Sequence, residues 1–308
     1  IVLLDSMQQS TIAGAAATAA GQVSLTLDAA WAQASDTLTV DASDINDDDL
    51  DANGDGDRTD AGSDNAFAPR GDIGFSTGTG PEVGNDINDT QTVRIDASGA
   101  NYKVNITGSQ VVDTIIGSNL ADVIDGQAGN DIITGGLGSD SLTGGAGSDT
   151  FVYNNVAESD GNTASTDTIN DFVTGTDKVQ LTITDNANTT FNFGSFASVA
   201  SSGDGDNSLQ GTNTVRVVGD GFYDAGADKL IIDVDGDGDI TTTNDYQITS
   251  AGEIVASDVN FVLNASGNAN NLVVRGGQGA DNITTGAGDD VLVMVGNLTN
   301  ADVDGYVA

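Results

Sequence analysis

The chain has 308 residues, of which 47 are acidic and 8 are basic, and its formal net charge at pH 7 is −39. Nucleic acids and anionic membrane surfaces are bound by clustered lysines and arginines, so this charge excludes both as partners. Cysteine and histidine are absent, which excludes disulfides, the usual zinc ligand and the commonest general base. No stretch reaches the ~18 apolar residues of a membrane helix. Cations are therefore the expected partners, without membrane insertion.

The acidic residues are almost all of one kind. Except for Glu82, Glu158 and Glu253, every acid in the chain is an aspartate, and glycine occurs 41 times. Aspartate is favoured in turns because its short side chain bonds nearby backbone groups. The composition therefore indicates many ligand-bearing turns, and a solvated acidic surface is the alternative.

The first predicted strand, LTVDAS at 38–43, has two later counterparts, VRIDASG at 93–99 and FVLNASG at 261–267. Each alternates apolar and polar residues, as a half-buried strand does. We interpret them as the same edge strand used more than once. An insertion at roughly 44–90 follows the first copy, and residues 1–92 are predicted to form an N-terminal β-rich region.

The insertion contains the stretch DANGDGD, at 51–57. It resembles the start of an EF-hand calcium loop, D-x-[DN]-x-[DN]-G. The twelfth place of such a loop, normally glutamate, is Gly62 here. A calcium loop and a polar surface turn both remain open for this stretch, and the candidate ligands are Asp51, Asn53, Asp55 and Asp57.

A nine-residue period begins at Gly99 and continues to Val152. Its six units are GANYKVNIT, GSQVVDTII, GSNLADVID, GQAGNDIIT, GGLGSDSLT and GGAGSDTFV. Three more units, GNANNLVVR, GGQGADNIT and TGAGDDVLV, run from Gly267 to Val293. A fixed short period is the signature of a repeat architecture, and nine residues suit a six-residue turn followed by a three-residue strand.

Two places of the unit carry its chemistry. The eighth place is always apolar and is predicted to point into a core: Ile106, Ile115, Ile124, Ile133, Leu142, Phe151, Val274, Ile283 and Leu292. The sixth place is an acid in every unit except the first of each run: Asp113, Asp122, Asp131, Asp140, Asp149, Asp281 and Asp290. Two units make one coil of a flattened parallel β-roll, so aspartates two units apart should stack. Asp113 is thus predicted to lie against Asp131, Asp131 against Asp149, and Asp122 against Asp140.

Stacked acids at close range need a cation between them. Oxygen ligands in a flexible cage suit Ca²⁺, whereas Mg²⁺ demands a stricter octahedral geometry. Glycines permit positive φ and close backbone approach, and with the aspartates they complete the candidate calcium sites: Gly117, Gly126, Gly129, Gly135, Gly136, Gly138, Gly144, Gly145, Gly147, Gly276, Gly277 and Gly279.

These units resemble the RTX, or hemolysin-type, calcium-binding repeats, whose signature is GGxGxDxUx with an apolar residue at U. The resemblance is strong over 117–152 and good over 276–293. The segment 144–181 is similar to the region that closes the repeats of secreted serralysin-type proteases, and the composition resembles RTX surface-layer proteins. The resemblance implies export by a type I system and folding on external calcium. The proteases' HExxH zinc motif is excluded, because the chain has no histidine.

Between the two runs, short strands with turn signals predict a β-rich domain over 153–260. Its loop DVDGDGDITTTND, at 233–245, again resembles an EF-hand loop, but lies between strands rather than helices. Asn244 stands at the twelfth place of this loop. The candidate ligands are Asp233, Asp235, Asp237, Asp239 and Asp245. Phe172, Phe191, Phe193, Phe196 and Phe222 are expected in the core of this domain, and Lys178 and Lys229 are expected to pair with carboxylates.

Taken together, the sequence predicts an all-β protein: an N-terminal region (1–92), a first RTX β-roll (93–152), a β-rich domain (153–260), and a second roll with a C-terminal tail (261–308). The favoured function is a secreted, calcium-binding structural protein that assembles with copies of itself on the cell surface, with cell-surface polysaccharide as a further candidate partner. The alternatives are an RTX adhesin or ligand-binding module, and the non-catalytic C-terminal part of a secreted enzyme. No feature singles out a catalytic pair among the acids.

Overall fold

The computed structural model describes residues 22–28, 37–41, 92–161, 165–185, 187–193, 196–199, 218–219, 221–235, 244–293 and 297–302. These residues form strands and turns with two short 3-10 helices, Val156–Glu158 and Ala256–Asp258. The predicted all-β class is confirmed. The chain divides into two compact units, one of Ile1–Gly136 with Thr143–Asp149 and one of Leu137–Leu142 with Thr150–Ala308.

The first unit is a parallel coil of short strands. Its strands are β1 (Gln22–Asp28), β2 (Thr37–Asp41), β3 (Thr92–Gly99), β4 (Lys103–Thr107), β5 (Val112–Ile116), β6 (Val123–Asp125) and β7 (Ile132–Thr134). Odd-numbered strands pair in the order β1-β3-β5-β7 and even-numbered strands in the order β2-β4-β6, all parallel. Successive strands thus alternate between two sheets, which is the β-roll predicted from the period.

The register of the coil follows the repeat. Ile106 pairs with Ile124 and Ile115 with Ile133, each across two nine-residue units. All four of these eighth-place isoleucines are buried. Because side chains alternate between the faces of a strand, one apolar residue per three-residue strand is enough to supply the core of the coil.

The lead-in strands belong to the coil itself. Ile95 in β3 pairs with Ile115, twenty residues later. In the second unit Leu263 pairs with Ile283, again twenty residues later. The two lead-in motifs therefore occupy equivalent positions, and each supplies the strand that precedes its run of repeats. The third copy, in β2, pairs with β4.

The second unit combines parallel coil strands with an antiparallel meander. Its strands are β8 (Ser141–Thr143, of which Thr143 belongs to the first unit), β9 (Thr150–Tyr153), β10 (Thr168–Ile169), β11 (Lys178–Thr184), β12 (Thr190–Asn192), β13 (Phe196–Val199), β14 (Gly221–Asp224), β15 (Lys229–Ile232), β16 (Tyr246–Ser250), β17 (Val259–Asn264), β18 (Val273–Arg275), β19 (Ala280–Thr284), β20 (Val291–Val293) and β21 (Asn297–Asp302). One sheet has the order β9-β11-β17-β19-β21, a second β13-β14-β15-β16-β10-β8, and a third β12-β18-β20.

The segment 153–260 joins these sheets through both parallel and antiparallel pairs. Its strand β11 pairs in parallel with β9 on one side and with β17 on the other. The pairs β14–β15 and β15–β16 are antiparallel. β11, from the predicted middle segment, lies between β9 of the first repeat run and β17, which leads into the second. The boundaries of the four predicted segments therefore differ from those of the two compact units.

Aromatic residues fill the core of the second unit. Phe191 and Phe193 are buried, and the ring of Phe193 stacks on Phe261 with centroids 4.4 Å apart. Phe172 is buried against Phe151, with centroids 6.3 Å apart. The core role predicted for these three phenylalanines of the middle segment is confirmed, whereas the side chains of Phe196 and Phe222 lie outside the described residues.

Candidate metal centre

The aspartates of the repeats form a hydrogen-bonded column. The backbone N–H of Asp113 donates to Oδ1 of Asp131 (2.8 Å), and that of Asp131 donates to Oδ1 of Asp149 (2.9 Å). Each bond joins the sixth places of units that are 18 residues apart. The predicted stacking of these three aspartates is therefore present in the first unit. The same kind of bond occurs at the first, apolar sixth place, because the N–H of Val104 donates to Oδ1 of Asp122 (2.8 Å).

The second carboxylate oxygen of each aspartate faces its own glycine turn. Oδ2 accepts from the backbone N–H of Ser109 in Asp113 and of Ser118 in Asp122, each at 2.6 Å. In Asp131, which is 1% exposed, Oδ2 has no hydrogen-bond partner. A buried carboxylate oxygen without a partner is costly unless a cation satisfies it.

Each turn leaves a space that a side chain would fill. A Cβ added to Gly126 would clash with Oδ2 of Asp131 and would lie 2.7 Å from the carbonyl oxygen of Gly144. A Cβ on Gly108 would clash with Oδ2 of Asp113 and would lie 2.5 Å from the carbonyl oxygen of Gly126. The first glycine of a unit therefore keeps open a cradle bordered by one carboxylate and by a glycine carbonyl two units later.

Other glycines are required by backbone conformation. Gly129, Gly138 and Gly147 have φ of +142°, +131° and +148°, a region that residues with a Cβ rarely adopt. Gly136 and Gly145 also have positive φ, of +97° and +98°. These are the second and fourth places of the repeat, so the glycine pattern of the sequence is explained by turn geometry as well as by close approach.

Burial makes the metal-free column electrostatically unfavourable. It raises the pKa of Asp113 to about 6, against the hydrogen bonds from Ser109. It raises the pKa of Asp131 to about 8, where the hydrogen bond from Asp113 opposes the shift and the negative charges of Asp113 and Asp149 add to it. Burial is also the largest cause of the raised pKa of Asp122. A divalent cation would relieve both the desolvation and the repulsion.

The second unit repeats the arrangement. Asp281 is buried, accepts from the N–H of Gly277 (2.6 Å) through Oδ2, and accepts from the N–H of Phe261 (3.0 Å) through Oδ1. Asp290 accepts from the N–H of Leu272 (2.8 Å), and its Oδ2 has no hydrogen-bond partner. Asp140 is also buried in this unit.

Around these aspartates the predicted glycines differ in how tightly they are packed. A Cβ on Gly117 would clash with the carbonyl oxygen of Gly135, and one on Gly279 would clash with that of Val259. By contrast, a Cβ on Gly276 would lie 3.2 Å from Oδ2 of Asp281, and one on Gly277 would lie 3.4 Å from it. In the unit at 276–284, the first and second places are thus more open than the fourth.

The acidic loop at 233–245 closes a hairpin. β15 and β16 are antiparallel, with Ile232 opposite Tyr246. One carboxylate oxygen from each of Asp233, Asp235 and Asp245 lies within 4.8 Å of the other two. The loop therefore brings together the first and third places of the EF-like pattern with Asp245, which follows the twelfth place. Asp237 and Asp239 lie outside the described residues, as do Asp51, Asn53, Asp55 and Asp57.

Two further aspartates were not predicted as site residues. Asp167 and Asp177 are buried and precede β10 and β11 as the repeat aspartates precede their strands. Asp177 Oδ2 accepts from the N–H of Val173 (2.7 Å), four residues earlier, as in the repeats. The available signal was the triplet of an aspartate, any residue and an apolar residue, DTI at 167–169 and DKV at 177–179. Neither triplet follows the glycine pair that opens a strong repeat unit.

The rare cations have different partners. Lys178 forms an ion pair with the fully buried Asp258 (2.8 Å), as predicted. Lys229 lies 3.4 Å from the amide oxygen of Gln247, which is not a carboxylate. Lys178 thus balances the buried Asp258, and the charge of Lys103 opposes the rise that burial causes in the pKa of Asp122.

The donor set fits calcium. It consists of carboxylate and glycine carbonyl oxygens, with a partnerless buried Oδ2 at Asp131. Hard oxygen ligands of this kind, in turns rather than in a rigid octahedron, are those that Ca²⁺ prefers. The individual ligand assignments stay predictions.

Comparison with known proteins agrees with this chemistry. Residues 108–151 and 266–293 match the family model of the RTX calcium-binding nonapeptide repeat, with four copies. RTX nonapeptide repeats bind Ca²⁺, so calcium is the cofactor of the two matched segments. A search of curated proteins finds no relative that matches the chain. Among the described residues, no helix has the length and apolar character needed to cross a membrane.

Proposed function

We propose that this chain is a secreted structural protein that folds on extracellular calcium and assembles with copies of itself on the cell surface. RTX repeats imply calcium binding and secretion, typically by a type I system. The observation that carries the proposal is the buried aspartate column of Asp113, Asp131 and Asp149, whose acids repel one another unless a cation lies between the turns.

Calcium supplies enough free energy to control folding. A cation that binds only the folded state at a concentration a hundredfold above its Kd contributes about 2.7 kcal/mol per site. Since a folded domain is stable by about 5–15 kcal/mol in total, a few such sites decide whether the chain folds. The chain would stay unfolded and exportable where free calcium is scarce.

Exposed apolar side chains near a sheet edge support self-assembly. Val273 in β18 and Val291 and Val293 in β20 are exposed by 44%, 53% and 37%. Within the described residues β20 is the outer strand of its sheet. An outer strand with apolar side chains is a template for pairing with another chain. Copies of this chain are the proposed partner of this edge, and the chain has no proposed catalytic role.

Electron microscopy of the purified chain with calcium, and after removal of calcium by a chelator, tests the proposal. We expect an ordered lattice or filament with calcium and its loss with the chelator. Assembly that persists after the chelator has removed all bound calcium would contradict it. A folded monomer that binds a glycan or foreign protein in calcium, without any ordered assembly, would favour an adhesin instead.

A further inference from the structure

Asp167 extends the series of hydrogen-bonded sixth-place aspartates, here called the aspartate ladder, beyond the recognisable repeats. In β10, Thr168 pairs with Ser141 and Ile169 pairs with Leu142 of β8. The N–H of Asp140 donates to Oδ1 of Asp167 at 2.8 Å, as the sixth-place residues do within the repeats. The two aspartates are 27 residues apart rather than 18, because the chain makes an excursion through β9 and a 3-10 helix before it returns.

The backbone around Asp167 is held in place by the same excursion. The N–H of Asp167 donates to Oγ of Ser159 (3.0 Å), and that hydroxyl donates to the carbonyl oxygen of Gln247 in β16 (2.7 Å). Ser139 Oγ also donates to the carbonyl oxygen of Thr166 (2.7 Å). Hydrogen bonds at Asp167 and at the preceding residue thus fix the backbone that carries the Asp167 carboxylate.

The second oxygen of this carboxylate is left unsatisfied. Asp167 is 0% exposed, and its Oδ2 has no hydrogen-bond partner. The Tyr153 hydroxyl, which is also buried, lies beside this carboxylate as a potential donor, and it opposes the rise that burial causes in the pKa of Asp167. A fully buried carboxylate oxygen without a donor is expected to be rare in a stable fold.

The surroundings of Asp167 are negative. Burial raises its pKa to about 9, and the charges of Asp140 and Glu158 contribute in the same direction. Asp140 and Glu158 are themselves buried. The contrast is Asp258 in the same unit, which is equally buried but receives the ammonium of Lys178 at 2.8 Å. Asp258 is neutralised by the chain, whereas the charges that shift the pKa of Asp167 are all negative.

We infer that Asp140 and Asp167 bind an additional divalent cation of the calcium type, at a site that closes the roll with an aspartate from outside the nonapeptide repeats. The repeat match ends at residue 151, so Asp167 lies beyond it. Oδ2 of Asp167 would be a ligand of the ion, and the negative charge of Glu158 would add to its attraction. The inference rests on the calcium-driven folding proposed above and names one site of it.

The test compares Asp167→Asn with wild type and with Asp228→Asn in the full chain. Asp228 is exposed and has φ of +49°, which asparagine also adopts readily, so it is a matched control. Native mass spectrometry in saturating calcium should show one calcium fewer in Asp167→Asn than in the other two proteins. An equal calcium count in all three proteins would overturn the inference, whereas a wild-type chain that binds no calcium would overturn the proposed function itself.

Thermal unfolding gives a second readout that a purely structural aspartate would not show. Asp167→Asn should lower Tm in saturating calcium, because a ligand is lost, and its difference from wild type should shrink as the calcium concentration is reduced. A Tm difference that is the same at every calcium concentration would contradict a metal role.

Terbium luminescence keeps the inference testable if Asp167→Asn fails to fold. Tyr153 lies beside Asp167, and Tyr153→Phe removes only its hydroxyl. Terbium bound at Asp167 should be sensitised by Tyr153, so Tyr153→Phe should reduce the emission without changing the number of bound ions. Emission equal to that of wild type would show that no ion lies beside Tyr153, and would overturn the inference.

Discussion

At the scale of single residues, the two carboxylate oxygens of the repeat aspartate have different roles. In Asp131, Oδ1 accepts the backbone N–H of Asp113 and holds the register of the coil, while Oδ2 faces the glycine cradle. Asparagine could keep the first role but not the charge needed for the second. The acid at the sixth place is therefore explained by the cation rather than by the backbone.

The raised pKa values predict opposite pH dependence with and without calcium. The pKa of Asp131 is about 8 and that of Asp113 about 6 in the metal-free fold, against about 3.9 in an unfolded chain. Protonation is then favoured by folding, so stability in chelator should be full below about pH 4 and should be lost as the pH rises through 6 and 8. In calcium the stability should instead fall on acidification, because protons compete with the metal.

Thermal unfolding between pH 4 and 9, in chelator and in calcium, measures this difference. Asp131→Asn, which cannot titrate, should flatten the chelator curve between pH 6 and 8. A stability that increases with pH in chelator would contradict the assigned direction of the pKa shifts.

Substitutions at Gly147 and Gly175 distinguish the cost of a steric clash from the cost of an unfavourable backbone conformation. Gly147 has φ of +148°, and a Cβ there would clash with the carbonyl oxygen of Gly129, whereas Gly175 has φ of +79° and open space around it. Gly175→Ala should cost about 1 kcal/mol of unfolding free energy from conformation alone. Gly147→Ala should cost about 3 kcal/mol or more, because overpacking adds to the strain. Chemical denaturation in saturating calcium measures both, and equal costs would argue against close packing of the turns.

At the scale of elements, the three-residue strands are too short to be stable alone and depend on their neighbours. The period of the sequence was sufficient to predict strands over most of 103–152, because one apolar and one acidic place recur in every unit. The same reasoning identified β15 and β16 on either side of the acidic loop. It could not predict that β11 lies between β9 and β17, since the paired residues are 28 and 80 residues apart in the chain.

The missed aspartates show where the sequence signal ends. Asp167 accepts the same inter-turn hydrogen bond as the repeat aspartates, and Asp177 accepts the same bond within its own turn, but no glycine pair precedes either one. In the repeats the glycines are needed where turns stack closely, and at these two positions a longer connection enters the strand instead. The acid and the apolar residue two places later are kept, and this short triplet is too common in an aspartate-rich chain to be specific.

The ion pair of Lys178 and Asp258 joins β11 to the 3-10 helix before β17. The lysine side chain is 30% exposed and the aspartate is fully buried. Lys178→Met would leave the aspartate unpaired and should reduce the unfolding free energy by about 3 kcal/mol. Lys229→Met is the control, because its partner is the neutral amide of Gln247, and it should cost about 1 kcal/mol or less. Equal losses in urea denaturation would contradict the structural role of the pair.

At the scale of the whole molecule, the chain carries a net charge of −39. Self-repulsion of this size opposes any compact state, and the described basic residues balance only a few of the acids. Repeat stacking concentrates the acids in columns, so folding and calcium binding become one equilibrium. Under the proposed secretion, the calcium-rich environment outside the cell would determine where the chain folds.

Small-angle X-ray scattering of the full chain at pH 7.5, in chelator and in calcium, tests this coupling most directly. An unfolded chain of 308 residues has a radius of gyration of about 60 Å. We expect a value of this order in chelator and a several-fold smaller one in calcium, measured on the unassembled chain at a concentration below that of assembly. Magnesium at the same concentration should fail to produce the full change. A compact particle of the same size in chelator and in calcium would contradict the claim that the cation makes this chain fold.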